Sequence, residues 1–399
     1  MSIYNSLTTQ RILSIDALRG ITILVMIFVN ELAGVEGVPL WMKHMPADAD
    51  AMTFVDVVFP SFLFIVGMSI PFAINNRIVK GDGLFQLQWH ILFRAIGLLV
   101  LGVFMVNAET GYNEAAMGMS ISTWSLLFYV CVILVWNVYT FDNKTFKYIL
   151  RGIGVVGLVV LAFIFRGGED GTETLQPQWW GILGLIGWAY LIASMLYQLV
   201  KGNLIGLIIC FVACIVFFIV GKMPSLQEID VLAWMKGQTG HAIHTLLVLG
   251  GIILSLLFFD HAKPKSILRR SVEAFLFAAI MIVIGFFLRP YYQISKIWAT
   301  PTWALYSAAI CTLIFIFLYW LIDIKKVSGW TGFFRPAATN PLLTYIIPFI
   351  LMHLMSILHL HWPSELHRAP VGIVWSIVFA VMVMMIATGL NKLKVRLQL

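Results

Sequence analysis

The chain has 399 residues, of which 60% are hydrophobic and 11% charged, with a formal net charge of +7 and a mean hydropathy of +0.92. Soluble domains carry about 25% charged residues, so this composition excludes an ordinary soluble protein and reads as a polytopic membrane protein with the lipid bilayer as its partner. The excess Lys and Arg are scattered between apolar runs and form no stripe, which argues for membrane topology and against nucleic acid.

A bilayer core about 30 Å thick needs an apolar run of about 17 to 25 residues. Such runs start near Ile15, Thr53, Leu84, Met119, Phe146, Gln178, Asn203, Gly240, Leu268, Thr300, Asn340 and Val371. They predict an all-α bundle of about 12 transmembrane helices, with both termini on one side. No fixed-period repeat, low-complexity tract or soluble insert interrupts the pattern, so a single membrane domain over residues 1–399 is the simplest reading. Of the 26 Lys and Arg, a cytoplasmic N-terminus places 17 in inner segments and 7 in outer ones, Arg19 and Arg94 being inside helices. The positive-inside rule therefore predicts cytoplasmic termini. Acidic side chains lean to the outer face, among them Glu36, Asp48, Asp50, Glu228, Asp230 and Glu365, which suits a cationic solute such as an amine.

The first run, Ile15 to Ala33, contains Asp16 and Arg19 and has no A-x-A site after it, so it reads as a retained anchor and not a cleaved leader. It ends in Asn30 and Glu31. The second run, Thr53 to Asn76, opens with Asp56, and Pro60 is expected to kink or break it. A charge at mid-bilayer costs about 2.5 to 3.5 kcal/mol, so such groups usually face a protein interior or a cavity. Between the two runs lies His44, a residue that titrates near neutrality and suits general-base chemistry. Connectivity keeps Asn30, Glu31, His44 and Asp56 at one end of one helical hairpin. Asn30 could polarise a carbonyl as an oxyanion-hole donor or join helices by a hydrogen bond. Asp56 could orient a protonated imidazole or cap the second helix.

At the inner end, Asp16 and Arg19 are spaced to pair on one helix face, whereas Arg94 has no partner visible in the sequence. Either arginine could hold a phosphate. From Asp16 to Asn30 is about 21 Å of helix at 1.5 Å per residue, so a cofactor reaching between them has to be long and thin. His241 and His244, spaced i, i+3 at the start of the eighth run, could line the outer mouth. A metal pair would want a third ligand, and none is evident, so no metal is expected. Cys131, Cys210, Cys214 and Cys311 lie in apolar runs without CxxC spacing and read as packing residues. His359, His361 and His367 fall with Glu365 in the last outer loop and read as interfacial; His90 and His261 read as incidental.

Several blocks carry a family likeness. RILSIDALRG, MIFVNE, the Lys43-His44 pair, DVVFPSFLFIVGMSI, WGILGLIGWAYL, ISKIWATPTWAL and GWTGFFRPAATNPLLTYI resemble the heparan-α-glucosaminide N-acetyltransferase family of transmembrane enzymes. The resemblance implies transfer of the acetyl group of cytosolic acetyl-CoA to the amine of glucosamine, or of a terminal glucosaminide, across the membrane. It implies catalytic roles for His44 and Asn30, with Asp56 beside them. Co-substrate contacts are expected from Arg19, Arg94, Arg335, Asn340 and Trp298 and acceptor contacts from Glu31, His241 and His244, and the resemblance implies a homodimer. A compact bacterial-type member in the inner membrane is expected, its acceptor site facing the periplasm. The family's tryptophan, asparagine and glycine after the histidine are replaced by the stretch Met45 to Asp50, and a glutamine-arginine pair by Gly184 and Leu185. Residues 119–166 have no counterpart and read as an inserted helical hairpin. Two alternatives stay open from the residues alone: an O-acyltransferase of a cell-envelope glycan, and a secondary transporter for sugars or amines.

Overall fold

A computed structural model describes residue 7 and residues 11–224, 233–260 and 265–399. Glu228, Asp230 and His261, which entered the sequence reading, lie outside the described residues. The described chain is helical: α1 (Leu13–Leu32), α2 (Phe54–Val79), α3 (Leu84–Glu109), α4 (Ile121–Trp136), α5 (Lys144–Ile164), α6 (Ile182–Leu199), α7 (Leu204–Lys222), α8 (Met235–Phe259), α9 (Ile267–Leu288), α10 (Pro301–Tyr319), α11 (Pro341–Ile357) and α12 (Val371–Lys392). Among the described residues ten helices are long and apolar enough to cross a membrane. A further candidate is α11, which meets the short helical segment before it at 76°, and α4 is an apolar helix of 16 residues. These are the twelve apolar runs of the sequence, and the protein is a multi-pass, all-α membrane protein.

The polar residues that precede the apolar runs are helix caps. Ser120, Asn143, Asn203, Ser266 and Thr300 each accept, through the side chain, a backbone N–H of the first turn that follows. A first-turn N–H has no intrahelical partner and would be stranded in hydrocarbon without them.

By contacts the chain divides into two compact units. The first comprises residues 1–22, 39–95 and 186–332. Its core is α8, whose most apolar window is 89% buried. That burial follows from a run with no charge between His241 and Phe259, apolar on every side. The helix lies directly on α2. A methyl group on Gly67 would fall on the Val248 carbonyl, and one on Gly251 on the Phe64 carbonyl. Small residues permit this approach, the usual device for joining helices where lipid removes the hydrophobic drive. By contrast α9 is only 22% buried over its window and exposes Phe275, Phe286 and Phe287, as a lipid-facing helix would. The loop before α2 meets the loop before α10 through Asp50 and Arg289, while the start of α1 meets the end of α10 through Ser14 and Asp323. The loops of this unit are thus sorted to two ends in the order that alternating spans require.

The second unit comprises residues 23–38, 96–185 and 333–399. Here α4 and α5 pack on each other and α11 packs on α4. Trp124, Phe128 and Phe104 stack at the centre, with the Trp124 indole N–H donating to the Leu161 carbonyl at 3.0 Å. The same alternation holds: the loop after α1 pairs with the loop before α12 through Glu36 and residues 367–369, and the end of α4 pairs with the C-terminal tail.

Candidate active site

Asp56 is the best-supported polar group in the first unit, and the start of α2 explains why. Thr53 caps the helix, its hydroxyl accepting the Val55 N–H, while Asp56 Oδ2 accepts the Thr53 N–H at 3.0 Å. Oδ2 also accepts the Met45 N–H at 3.3 Å, which fixes the backbone beside His44. Asp56 thus closes the capping box through Oδ2 and faces the imidazole through Oδ1. His44 Nδ1 stands 2.7 Å from Oδ1, with Asp56 buried and the histidine side chain 43% exposed. A carboxylate can only accept, so Nδ1 carries the hydrogen and Nε2 turns its lone pair outward. That is the tautomer a general base needs.

Pro60 does not break α2, which runs on from Phe54 to Val79. Proline has no N–H to give the carbonyl four residues earlier, and here that carbonyl belongs to Asp56. Trp303 supplies the missing donor, its indole N–H reaching the Asp56 carbonyl at 3.0 Å. The buried Trp303 thereby ties α10 to the residue that orients His44.

Asp50 joins the histidine loop to the loop before α10. It sits at φ 43°, takes the Arg289 guanidinium on both oxygens at 3.1 and 3.2 Å, and accepts the Ile294 N–H at 2.9 Å. This positions Lys296, whose Nζ lies against the imidazole, 3.1 Å from His44 Nε2 and 3.4 Å from Nδ1. Among the described residues no carboxylate lies within 4 Å of Lys296. Burial holds its ammonium below the ordinary lysine range, with Asp56 pulling the other way. Asp50→Ala should free the Lys296 loop from the histidine loop. About a tenfold loss of any His44-dependent rate is expected, with thermal stability within about 1 kcal/mol, because a partly exposed ion pair contributes little; steady-state assays and thermal unfolding measure the two.

His244 is buried, edge-on to Phe59 at 5.4 Å and to Trp303 at 6.2 Å, and among the described residues its Nδ1 has no hydrogen-bond partner. His241, one turn earlier, lies edge-on to Trp188 at 6.0 Å, also with Nδ1 unpartnered. Trp298 exposes its indole two residues after Lys296. At the far end of the unit, Arg19 pairs with Asp16 at 3.2 Å as the spacing required and donates to Ser69 Oγ at 2.6 Å. Arg94, without a partner in the sequence reading, lies 4.8 Å above the Tyr190 ring. Ser69 is thirteen residues along α2 from Asp56, or about 20 Å at 1.5 Å per residue.

In the second unit Asn30 leaves its carboxamide exposed at the end of α1. Next to it, Glu31 accepts the Trp375 indole N–H at 2.9 Å. Arg335 is exposed at the start of the short helix Arg335–Thr339. Asn340, expected to contact the co-substrate, lies at the start of α11. Its Nδ2 donates to Asn391 Oδ1 and to the Val395 carbonyl, its Oδ1 accepts the Leu397 N–H, and it is fully buried, so it ties α11 to the C-terminal tail.

Sequence reasoning missed Lys296, Asp50 and Trp303. The signal available for two of them was the block ISKIWATPTWAL, where a single cation stands among apolar and aromatic residues; Asp50 carried none beyond its place in a loop.

A family model described as a domain of unknown function (DUF5009) matches residues 11–249. The human protein named heparan-alpha-glucosaminide N-acetyltransferase is 36% identical over 98 residues, and its mouse counterpart 32% over 101 residues. These stretches cover 24% and 25% of this chain and 14% of each relative.

Proposed function

The chain belongs to the DUF5009 family, within the heparan-alpha-glucosaminide N-acetyltransferase-like family, and from that premise we propose that it is a membrane N-acetyltransferase. In this reading it moves the acetyl group of cytosolic acetyl-CoA to the amine of glucosamine, or of a terminal glucosaminide, on the periplasmic side of the inner membrane. One observation carries the chemistry: the 2.7 Å contact between His44 Nδ1 and the buried Asp56 carboxylate, which leaves Nε2 as the base.

The acceptor amine, having lost its ammonium proton to solvent, attacks the thioester carbonyl. His44 Nε2 takes the second proton as the C–N bond forms, and Asp56 stabilises the imidazolium. The exposed carboxamide of Asn30 is assigned to the thioester oxygen on its place in the VN motif. When the carbonyl re-forms, the C–S bond breaks and the thiolate takes the proton from Nε2–H. Acetyl-CoA would lie with its phosphates toward Arg19 and Arg94, with Arg335 as a further phosphate contact. The run of about 20 Å from Ser69 to Asp56 suits its pantetheine arm. Glu31, His241 and His244 are assigned to the acceptor side, Trp298 to the acetyl end. The hairpin of α4 and α5 is taken as an insertion, and a homodimer as the assembly.

The test supplies labelled acetyl-CoA and glucosamine to the purified protein. His44→Ala is expected to lower acetylglucosamine formation by about 10²- to 10⁴-fold, the usual range for general-base catalysis. Equal rates for the two proteins would remove His44 from the mechanism, and acetylation of hydroxyl acceptors alone would make the enzyme an O-acyltransferase.

A further inference from the structure

Lys296 has no assigned role in that reaction, yet its nitrogen stands where the reaction needs a nitrogen. The acceptor amine has to lie within hydrogen-bond distance of His44 Nε2, and Lys296 Nζ lies 3.1 Å from it and 3.4 Å from Nδ1. The lysine is held there by its backbone. Ile294 N–H is bound to Asp50, Ser295 N–H and Trp298 N–H are bound to Thr300 Oγ1 and Ser295 Oγ, and Thr300 then caps α10. Among the described residues no carboxylate pairs with the ammonium within 4 Å, and burial makes it easier to deprotonate than an ordinary lysine. A desolvated amine beside a base is an activated nucleophile.

We propose that Lys296 is a self-acetylation site, an internal occupant of the acceptor-amine position that takes the acetyl group itself when no amino sugar is present. The inference rests on the acetyl-thioester reading above. The ammonium gives one proton to solvent and the neutral Nζ attacks the thioester carbon. Its second proton passes to His44 Nε2, the C–S bond breaks, and the CoA thiolate leaves with that proton as CoA–SH. The product is Nε-acetyl-lysine, an amide too unreactive to pass the group on, so the modification silences the enzyme until the chain is replaced. A bound amino sugar displaces Lys296 from Nε2 and protects it.

The experiment incubates the full-length purified protein with isotope-labelled acetyl-CoA and no amine, then maps acetyl-lysine by peptide mass spectrometry. Lys43, the exposed neighbour of His44 in sequence, serves as the internal reference. Lys296 is expected to be labelled at least tenfold faster than Lys43, at least tenfold more slowly in His44→Ala and in Asp56→Asn, and hardly at all with saturating glucosamine. Acetylation of glucosamine with Lys296 unlabelled would overturn the inference and leave the acetyltransferase reading standing. So would label spread evenly over Lys43 and Lys296 without dependence on His44. Label on neither glucosamine nor any lysine would overturn both.

Discussion

Asp56→Asn is expected to lower acetyl transfer by on the order of 10³- to 10⁴-fold while leaving the fold almost intact, the scale seen when a base loses its orienting carboxylate. The two carboxylate oxygens have separate work. Oδ2 accepts two backbone N–H groups, from Thr53 and Met45, while Oδ1 faces His44. An asparagine keeps the two backbone bonds only by placing its single oxygen at the Oδ2 position, which turns its NH₂ toward the imidazole. A donor there forces Nδ1 to present a lone pair and moves the hydrogen to Nε2, so the proposed base is blocked with every atom near its old place. Because the cap survives, the stability change should stay within about 1 kcal/mol, the typical scale of a lost N-cap. Acetyl-transfer rates and thermal unfolding on the same preparation read the two effects. A rate within threefold of wild type would remove the tautomer argument, and a large fall in stability with it would make Asp56 structural.

The parts of this protein legible from its sequence are those where one local rule acts. Twelve apolar runs give the helices, and the polar residue before a run gives the start, as Asn203 and Thr300 do. The pairing of His44 with Asp56 was legible for a similar reason: both belong to one hairpin, and twelve residues of chain hold them close. Lys296 was not, because it meets His44 across 252 residues of sequence and arrives by way of Asp50, whose role depends on an unusual φ and on a loop far along the chain. Trp303 shows the same limit. Pro60 announces a carbonyl without its donor, and the natural inference from proline alone is a break; the indole that supplies the donor comes from α10. Asn340 is a further case, since its bonds to Asn391 and Leu397 span 51 and 57 residues of sequence and no local rule announces them.

Gly67→Ala should place a severely damaging methyl group in the membrane core. Overpacking ordinarily costs about 1 to 3 kcal/mol, because a neighbouring side chain can turn aside. Here the obstacle is the Val248 carbonyl of α8, and one turn away the backbone of α2 stands just as close to Gly251. Neither backbone can yield without moving its whole helix, so a cost of about 3 kcal/mol or more is expected, beyond the common run of point mutants. The damage should reach the site, since α2 carries Asp56 and α8 carries His241 and His244. If the helices part, Trp303 no longer meets the Asp56 carbonyl, and rate and stability fall together. That separates this variant from Asp56→Asn, where only the rate should fall. Gly152→Ala, at a helix position with nothing within 4 Å, is the matched control and should be neutral or slightly stabilising, since Gly is about 1 kcal/mol worse than Ala inside a helix. Thermal unfolding of the detergent-solubilised proteins decides it: equal melting temperatures for Gly67→Ala and Gly152→Ala would mean that α2 and α8 do not meet backbone to backbone.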